Sequence, residues 1–340
     1  MRRLATAAVL AVLVALLAGC GGTTVVREPT IVVTAGERPS ETPRPPAGPS
    51  GGVRIAVVTH GQASSPFWAI VRNGVEAAAR QMDVVVSYRA PDVYSVERME
   101  ALIDQAVAAR PDGLVVSIPE AGVGPAIRRA VRAGIPVVSI NSGSDVFRRF
   151  GVLAHVGQPE ERAGFEAGKR LVAAGVQRVL CVNQQIGNQG LDARCRGLSR
   201  AMAGAGARAR VLGVDDQSPS TPRKIADAIR DGRIDGVLAL NATSGIEAVK
   251  AVRRLRRVGA VKVATFDLGP DVLRAVRARQ LLFAVDQQAY LQGYLPIVLL
   301  TERARYGLFP AQGDVLPTGP NFVTARDAGK AIELSKRSIR

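Results

Sequence analysis

The chain predicts an α/β fold of two doubly wound parallel-sheet lobes. From residue 53 onward, short apolar runs of strand length alternate with segments of helical period. The connections between them are short, which suits parallel βαβ units with helices on both faces of a sheet. The same strand-then-helix order is used through twice, and a single twisted sheet of that many strands would be unusually wide, so two similar lobes are expected.

The first series opens with a strand at 53–59 and a helix at 67–80, which carries Ile70, Val71, Gly74, Val75 and Ala78 on one face. A strand at 83–88 follows, then a helix at 96–109, apolar at Met99, Leu102, Ile103, Ala106 and Val107. The strand at 113–117 leads to a helix at 124–133, ended by Gly134. Strands at 135–140 and 151–156 close this half. The second series reads helix 159–174, strand 178–183, helix 191–203, strand 209–214 and helix 222–230. It continues with strand 236–240, helix 245–258, strand 261–266, a short helix at 270–278 and a strand at 281–285. That last apolar run passes through Asp286, Gln287 and Gln288 straight into a helix at 289–306.

The N-terminus has the three-part form of an export signal: Arg2 and Arg3, an apolar run at 4–17 too short to span a bilayer comfortably, then small residues. Leu17-Ala-Gly-Cys20 resembles a bacterial lipobox, so residues 1–20 are expected to be a lipoprotein signal peptide with Cys20 acylated after cleavage. Two or three acyl chains hold a protein stably at a membrane. The alternative is an ordinary secreted protein with a free Cys20. Residues 21–52, rich in Pro, Gly and Thr and without apolar period, read as a disordered tether. The folded part is thus expected at the cell envelope, anchored to the membrane and facing outside the cytoplasm.

The net charge of +16 invites a nucleic-acid reading, but the basic residues are mostly Arg spread through the predicted helices, without a long run or interleaved aromatics. A solvated Arg-rich surface fits better, and an exported protein does not meet the genome. Cys181 and Cys195 remain: they can close a loop as a disulfide, worth about 3 kcal/mol in the chain-entropy model, or stand as two buried thiols.

Doubly wound sheets bind ligands at the carboxyl ends of their strands. Those ends carry Thr59 and His60, Asn141 and Ser142, Asn183 and Gln184, Asn241 and Thr243, Asp267, and Asp286 with Gln287. Amides and carboxylates without a nucleophile suit hydroxyl-rich ligands, because each orients and satisfies a hydroxyl. With two histidines in the chain and no metal-type Cys or His spacing, neither a catalytic triad nor a metal site is expected. No strand is followed by a Gly-rich phosphate loop, so no nucleotide cofactor is expected either. In Ser65-Pro-Phe-Trp68, the aromatic faces of Phe67 and Trp68 suit stacking on a sugar ring, or else they staple the helix entry. Arg194, on the helix after the 187–190 loop, suits forking onto ligand oxygens, or else it is one more surface arginine.

Together these residues resemble the periplasmic sugar-binding proteins that feed ABC importers, in the ribose-binding-like branch, over about residues 53–324. Phe67 and Trp68 match the family's Asn-Pro-aromatic-aromatic element. Arg194 in Leu-Asp-Ala-Arg-Cys-Arg-Gly matches its second-lobe arginine, Asn241 its amide after the third strand, Asp267 in Thr-Phe-Asp its carboxylate, and Gln287 its amide at the hinge crossing. Ser65 replaces the family's asparagine, and Asn141-Ser142 stands where ribose binders have an Asp-Arg pair. A more neutral pocket follows, for another pentose, a hexose, an inositol or a smaller polyol.

The resemblance also implies three strand crossings, near Val156, Gln287 and Pro317, with one lobe of 53–156 plus 288–316 and another of 157–287 plus 317–335. Phe67, Trp68 and Asn141 from one lobe would face Arg194, Asn241 and Asp267 from the other. The implied protein is a monomer without enzymatic activity whose closed, liganded form a membrane permease recognises. Two other readings are a sensor presenting the same closed lobes to a membrane kinase or chemoreceptor, and an exported enzyme using Asp267 or Asp286.

Overall fold

In a computed structural model that describes residues 52–61, 65–336 and 339, the chain forms two six-stranded sheets. The expected signal peptide, Cys20 and the tether up to residue 51 lie outside the described residues. Residues 48–340 form one compact unit of their own.

The strands of the first sheet are β1 (Arg54–Val58), β2 (Val85–Arg89), β3 (Gly113–Ser117), β4 (Val137–Ile140), β5 (Ala154–Gly157) and β11 (Val315–Pro317), in the order β11-β5-β4-β3-β1-β2 and all parallel. The second sheet holds β6 (Arg178–Asn183), β7 (Arg208–Gly213), β8 (Gly236–Ala239), β9 (Lys262–Phe266), β10 (Ala284–Asp286) and β12 (Asn321–Val323). Its order is β12-β10-β9-β8-β6-β7, and only β12 runs antiparallel.

The alternation along each strand sorts residues into opposite cores. Ile55 and Val57 pack with Val71 and Val75 of α1 (Pro66–Met82) and with Ile297 and Leu300 of α9 (Ala289–Tyr306). Ala56 and Val58 pack instead with Met99 and Ile103 of α2 (Val96–Ala108) and Ile127 of α3 (Gly124–Arg132). In the second sheet Val179 and Cys181 face α4 (Glu160–Ala173) and α5 (Gln189–Gly204). Leu180 and Val182 face α6 (Thr221–Asp231), α7 (Ala242–Arg254) and α8 (Pro270–Arg277). A short α10 (Ala328–Ser335) packs against α8. β3, covered on both faces, is buried throughout and reads GLVVS, whereas the edge strands β2 and β7 are partly exposed.

Each sheet carries one pair of helices that touch backbone to backbone at glycines. A Cβ on Gly74 of α1 would fall 2.0 Å from Tyr290 O of α9, and one on Gly293 of α9 equally close to Val71 O. A Cβ on Gly164 of α4 would lie 2.0 Å from Arg194 O of α5, and one on Gly197 of α5 only 1.9 Å from Glu161 O. Only glycine permits this approach.

The chain passes between the sheets three times: from β5 into α4, from β10 into α9, and from β11 to β12. Several boundaries differ from the sequence expectation. The strand expected at 281–285 is β10, Ala284–Asp286, because Leu282 turns outward, although its backbone N still donates to Val263 O at 2.7 Å. α7 begins at Ala242 rather than 245, since Asn241 caps it. Asp83, expected to open β2, instead ends α1 in a left-handed conformation.

Candidate ligand-binding site

The carboxyl ends of both sheets face one cleft of about 380 Å³. Phe67, Trp68 and Asn141 line it from the first-sheet side, Arg194, Asn241 and Asp267 from the second, with Gln287 between them. Pro66 stands in the first turn of α1, where Trp68 is buried at the edge of the first-sheet core with Phe67 packed against that cluster, and the Ser65 side chain makes no capping bond. Trp68 meets the ring of His60 edge-on at 5.0 Å and that of Phe67 at 5.3 Å. A Cβ on Gly61 would fall 1.5 Å from Trp68 Nε1, so the turn after β1 is shaped to the indole.

His60, at the end of β1, receives less notice from the sequence than the structure warrants. Its backbone N donates to Ser117 Oγ at 2.9 Å, its Nδ1 lies 2.8 Å from the same hydroxyl, and its Nε2 lies 3.5 Å from Asn188 Nδ2 across the cleft. Burial pushes its pKa down to about 3, so it is neutral.

Asn141 adopts φ 62°, a left-handed conformation that Asn accepts more readily than most side chains. Its Nδ2 donates to Gln287 Oε1 at 3.4 Å and Gln292 Oε1 at 3.3 Å. Asn241 Oδ1 accepts from Ser244 N at 2.8 Å, capping α7, while its Nδ2 donates to Asp216 Oδ2 at 2.5 Å. Asp267, also at positive φ (66°), receives Gln287 Nε2 on Oδ1 at 2.5 Å. Removal from water pushes its carboxyl up to about 6, against the pull of Arg194 and the Gln287 hydrogen bond, with Glu160 and Asp286 adding to the rise.

Arg194 lines the cleft as expected, with its guanidinium engaged by the protein itself. Its Nε and Nη2 donate to Glu160 at 2.6 and 3.0 Å, Nη1 donates to Leu240 O at 3.1 Å, and Nη2 reaches Gln287 Oε1 at 3.3 Å. The guanidinium also lies 4.4 Å over the Phe266 ring. The fork is already filled by Glu160, a residue the sequence reading passed over because an acid in a first helical turn is commonplace. Burial pushes the Glu160 carboxyl up despite Arg194. Asp216 and Asn188 were also passed over. Asn188 caps α5, accepting from Gly190 N and Leu191 N, and its position before a helical period was the available signal.

The two sides touch across the cleft. Gln189 N donates to Pro119 O at 2.8 Å, and Ser142 Oγ donates to Asn188 Oδ1 at 3.2 Å. Cys181 and Cys195, 5.9 Å apart at Cα, form a disulfide between β6 and α5.

Paired α/β lobes that meet over a polar cleft with one aromatic wall are the architecture of proteins that close around a small solute. The chain belongs to the family of periplasmic binding protein domains, whose model matches residues 55–307, and so works outside the cytoplasm. Among solved structures it is similar to a carbohydrate transporter from Acidothermus cellulolyticus 11B in complex with myo-inositol, with 34% identity and a TM-score of 0.79 over 85% of this chain and 100% of that one. It is 26% identical to a D-ribose/D-allose-binding protein of Pseudomonas aeruginosa, over 76% of this chain and 82% of the relative. A xylose/arabinose-binding protein of Sulfolobus acidocaldarius is 24% identical, over 80% of this chain and 71% of the relative.

Proposed function

We propose that the chain is a lipid-anchored receptor that captures one neutral, polyhydroxylated ring, a simple sugar or cyclitol, and hands it to an ABC import permease. Residues 53–156 with 288–316 act as one lobe and 157–287 with 317–335 as the other, moored through Cys20. The protein works as a monomer and performs no chemistry on its ligand. The observation that carries this reading is the joint lining of one cleft by Trp68, Asn141, Asn241, Asp267 and Gln287.

Each of these side chains offers hydrogen-bonding groups or an aromatic face, and the cleft cation is neutralised by Glu160. A sugar phosphate would need an uncommitted cation, which Arg194 is not; hydroxyls need acceptors such as Asp267 and donors such as Asn141. The myo-inositol bound to the 34%-identical relative supports a six-membered ring of hydroxyls as the first candidate. Closure is favoured because contacts to both lobes exist only when the lobes meet around the ring.

The test is a thermal-shift screen of residues 48–340 against myo-inositol, hexoses, pentoses, linear polyols, sugar phosphates and amino acids. A neutral ring compound is expected to raise the midpoint, because only a binder of the folded state does so. A screen in which only charged compounds raise it, or in which none does, would sink the reading.

A further inference from the structure

The edge of the second sheet opposite the cleft carries a cation at each strand. Arg178 and Arg208 open β6 and β7 side by side, Arg233 precedes β8, Lys262 opens β9 and Arg279 precedes β10. β12 runs antiparallel, so Arg326, just after it, emerges at the same edge. The turn before β9 adds Arg256 and Arg257, both exposed. Lys262, Arg279 and Arg326 surround one shallow depression with Leu282. None of these side chains is in an ion pair among the described residues. The acids at this end, Asp231, Asp235 and Asp327, are fewer, and two are occupied: Asp235 receives Gln177 N and Arg178 N, and Asp327 receives Thr324 N and Oγ1.

Two further observations separate this edge from a generally basic surface. Val258 and Leu282 stand among the cations at 59% and 37% exposure, so the surface mixes apolar and positive groups. The corresponding edge of the first sheet is mixed in sign: Arg54 lies beside Asp112, whose Oδ2 accepts Arg54 N at 2.8 Å, and Asp83 and Asp314 stand near the starts of β2 and β11. The lobes share a fold and differ in this face.

We propose that the strand-start edge of the second sheet, built around Arg256, Arg257, Lys262, Arg279 and Arg326 with Val258 and Leu282, docks on an anionic phospholipid bilayer. Cations interspersed with exposed aliphatic side chains are the composition that lies on a charged lipid interface. Outside the cytoplasm no nucleic acid competes for the patch. Docked there, the protein keeps its cleft, at the other end of the sheet, clear of the lipid headgroups.

The test is vesicle co-sedimentation of residues 48–340, the unit that corresponds to the whole solved relative and that lacks any N-terminal anchor. Vesicles of equal phosphatidylglycerol and phosphatidylcholine are compared with phosphatidylcholine alone. The chain should pellet with the anionic vesicles at low salt and release near 1 M salt, where the screening length is about 3 Å. Arg256→Glu/Arg257→Glu/Arg279→Glu should weaken anionic-vesicle binding at least about 30-fold, in line with the attraction per basic residue near such a surface. Arg98→Glu/Arg128→Glu/Arg149→Glu, an equal charge change on the first lobe, should keep it within about threefold, showing that the loss follows the patch rather than net charge. Equal losses in the two triple variants would overturn the proposal. So would equal binding to neutral vesicles, or binding to an acidic protein or polynucleotide without binding to the anionic vesicles. Thermal midpoints of both variants show that the fold is kept.

Discussion

Arg194 faces Glu160 through two hydrogen bonds, of 2.6 and 3.0 Å, with the side chains only 3% and 1% exposed. The guanidinium thus lines the cleft already bonded to Glu160 and, through Nη2, to Gln287. A cation cancelled by a buried partner leaves room for a neutral ligand.

Removing one partner of such a pair strands a buried charge. Glu160→Gln is expected to lower the unfolding free energy by about 3–5 kcal/mol, and Glu160→Leu/Arg194→Met to recover at least half of that loss. Urea denaturation of the three proteins measures both. A Glu160→Gln midpoint equal to wild type would show that the pair is dispensable to the fold.

Asp267 predicts a pH limit. Its carboxyl is raised to about 6, so affinity for a neutral ring should fall as pH drops below that value, approaching tenfold per pH unit, as the ionised acceptor is lost. The stability effect has the opposite sense, because a carboxyl raised in the folded state binds its proton more readily there. Its contribution is present at low pH and fades as pH rises through about 6. Asp267→Asn should abolish this pH dependence, raise the thermal midpoint at pH 8 and cost about 10- to 100-fold in affinity, the range for hydrogen bonds to charged groups. Calorimetric titration across pH checks the affinities, and a scanning-calorimetry melt at pH 8 checks the midpoint.

Trp68 is the only tryptophan in the chain and stands in the cleft wall. Saturating ligand should therefore change the intrinsic emission, and Trp68→Ala should weaken binding about tenfold or more by removing the stacking face. Unchanged emission under saturating ligand, with binding established by calorimetry, would remove Trp68 from the site.

The disulfide lies in the core between β6 and α5, and neither cysteine lines the cleft. Replacing Cys181 and Cys195 by Ala should lower stability by about 3 kcal/mol, the value for a loop of about 15 residues, while leaving ligand affinity within about threefold. Guanidinium unfolding alongside calorimetry separates the two effects.

Much of the architecture was readable because β1, β3, β6 and β8 are apolar runs of strand length and α1 and α2 keep a clean apolar face. The three-residue strands β11 and β12 are too short to carry a period and acquire their identity only from β5 and β10 beside them. Gln287 and Asp267 were legible as polar residues at strand ends. Glu160 was not, because its partner lies 34 positions away and only the packing of α4 on α5 brings them together. Asn241 lines the cleft as read, and its second task, capping the next helix, has the same sequence signature.

Gly74 with Gly293, and Gly164 with Gly197, press their helices together at bare backbone, which predicts that each proposed lobe moves as a stiff block. On that prediction, relative displacement would fall to the crossings at 157–160, 286–289 and 317–321. A dye pair with one label on each block would turn capture of a solute into an optical signal, and substitutions at 158–159 or 318–320, outside the cleft lining, would tune its set point without altering a group that meets the guest.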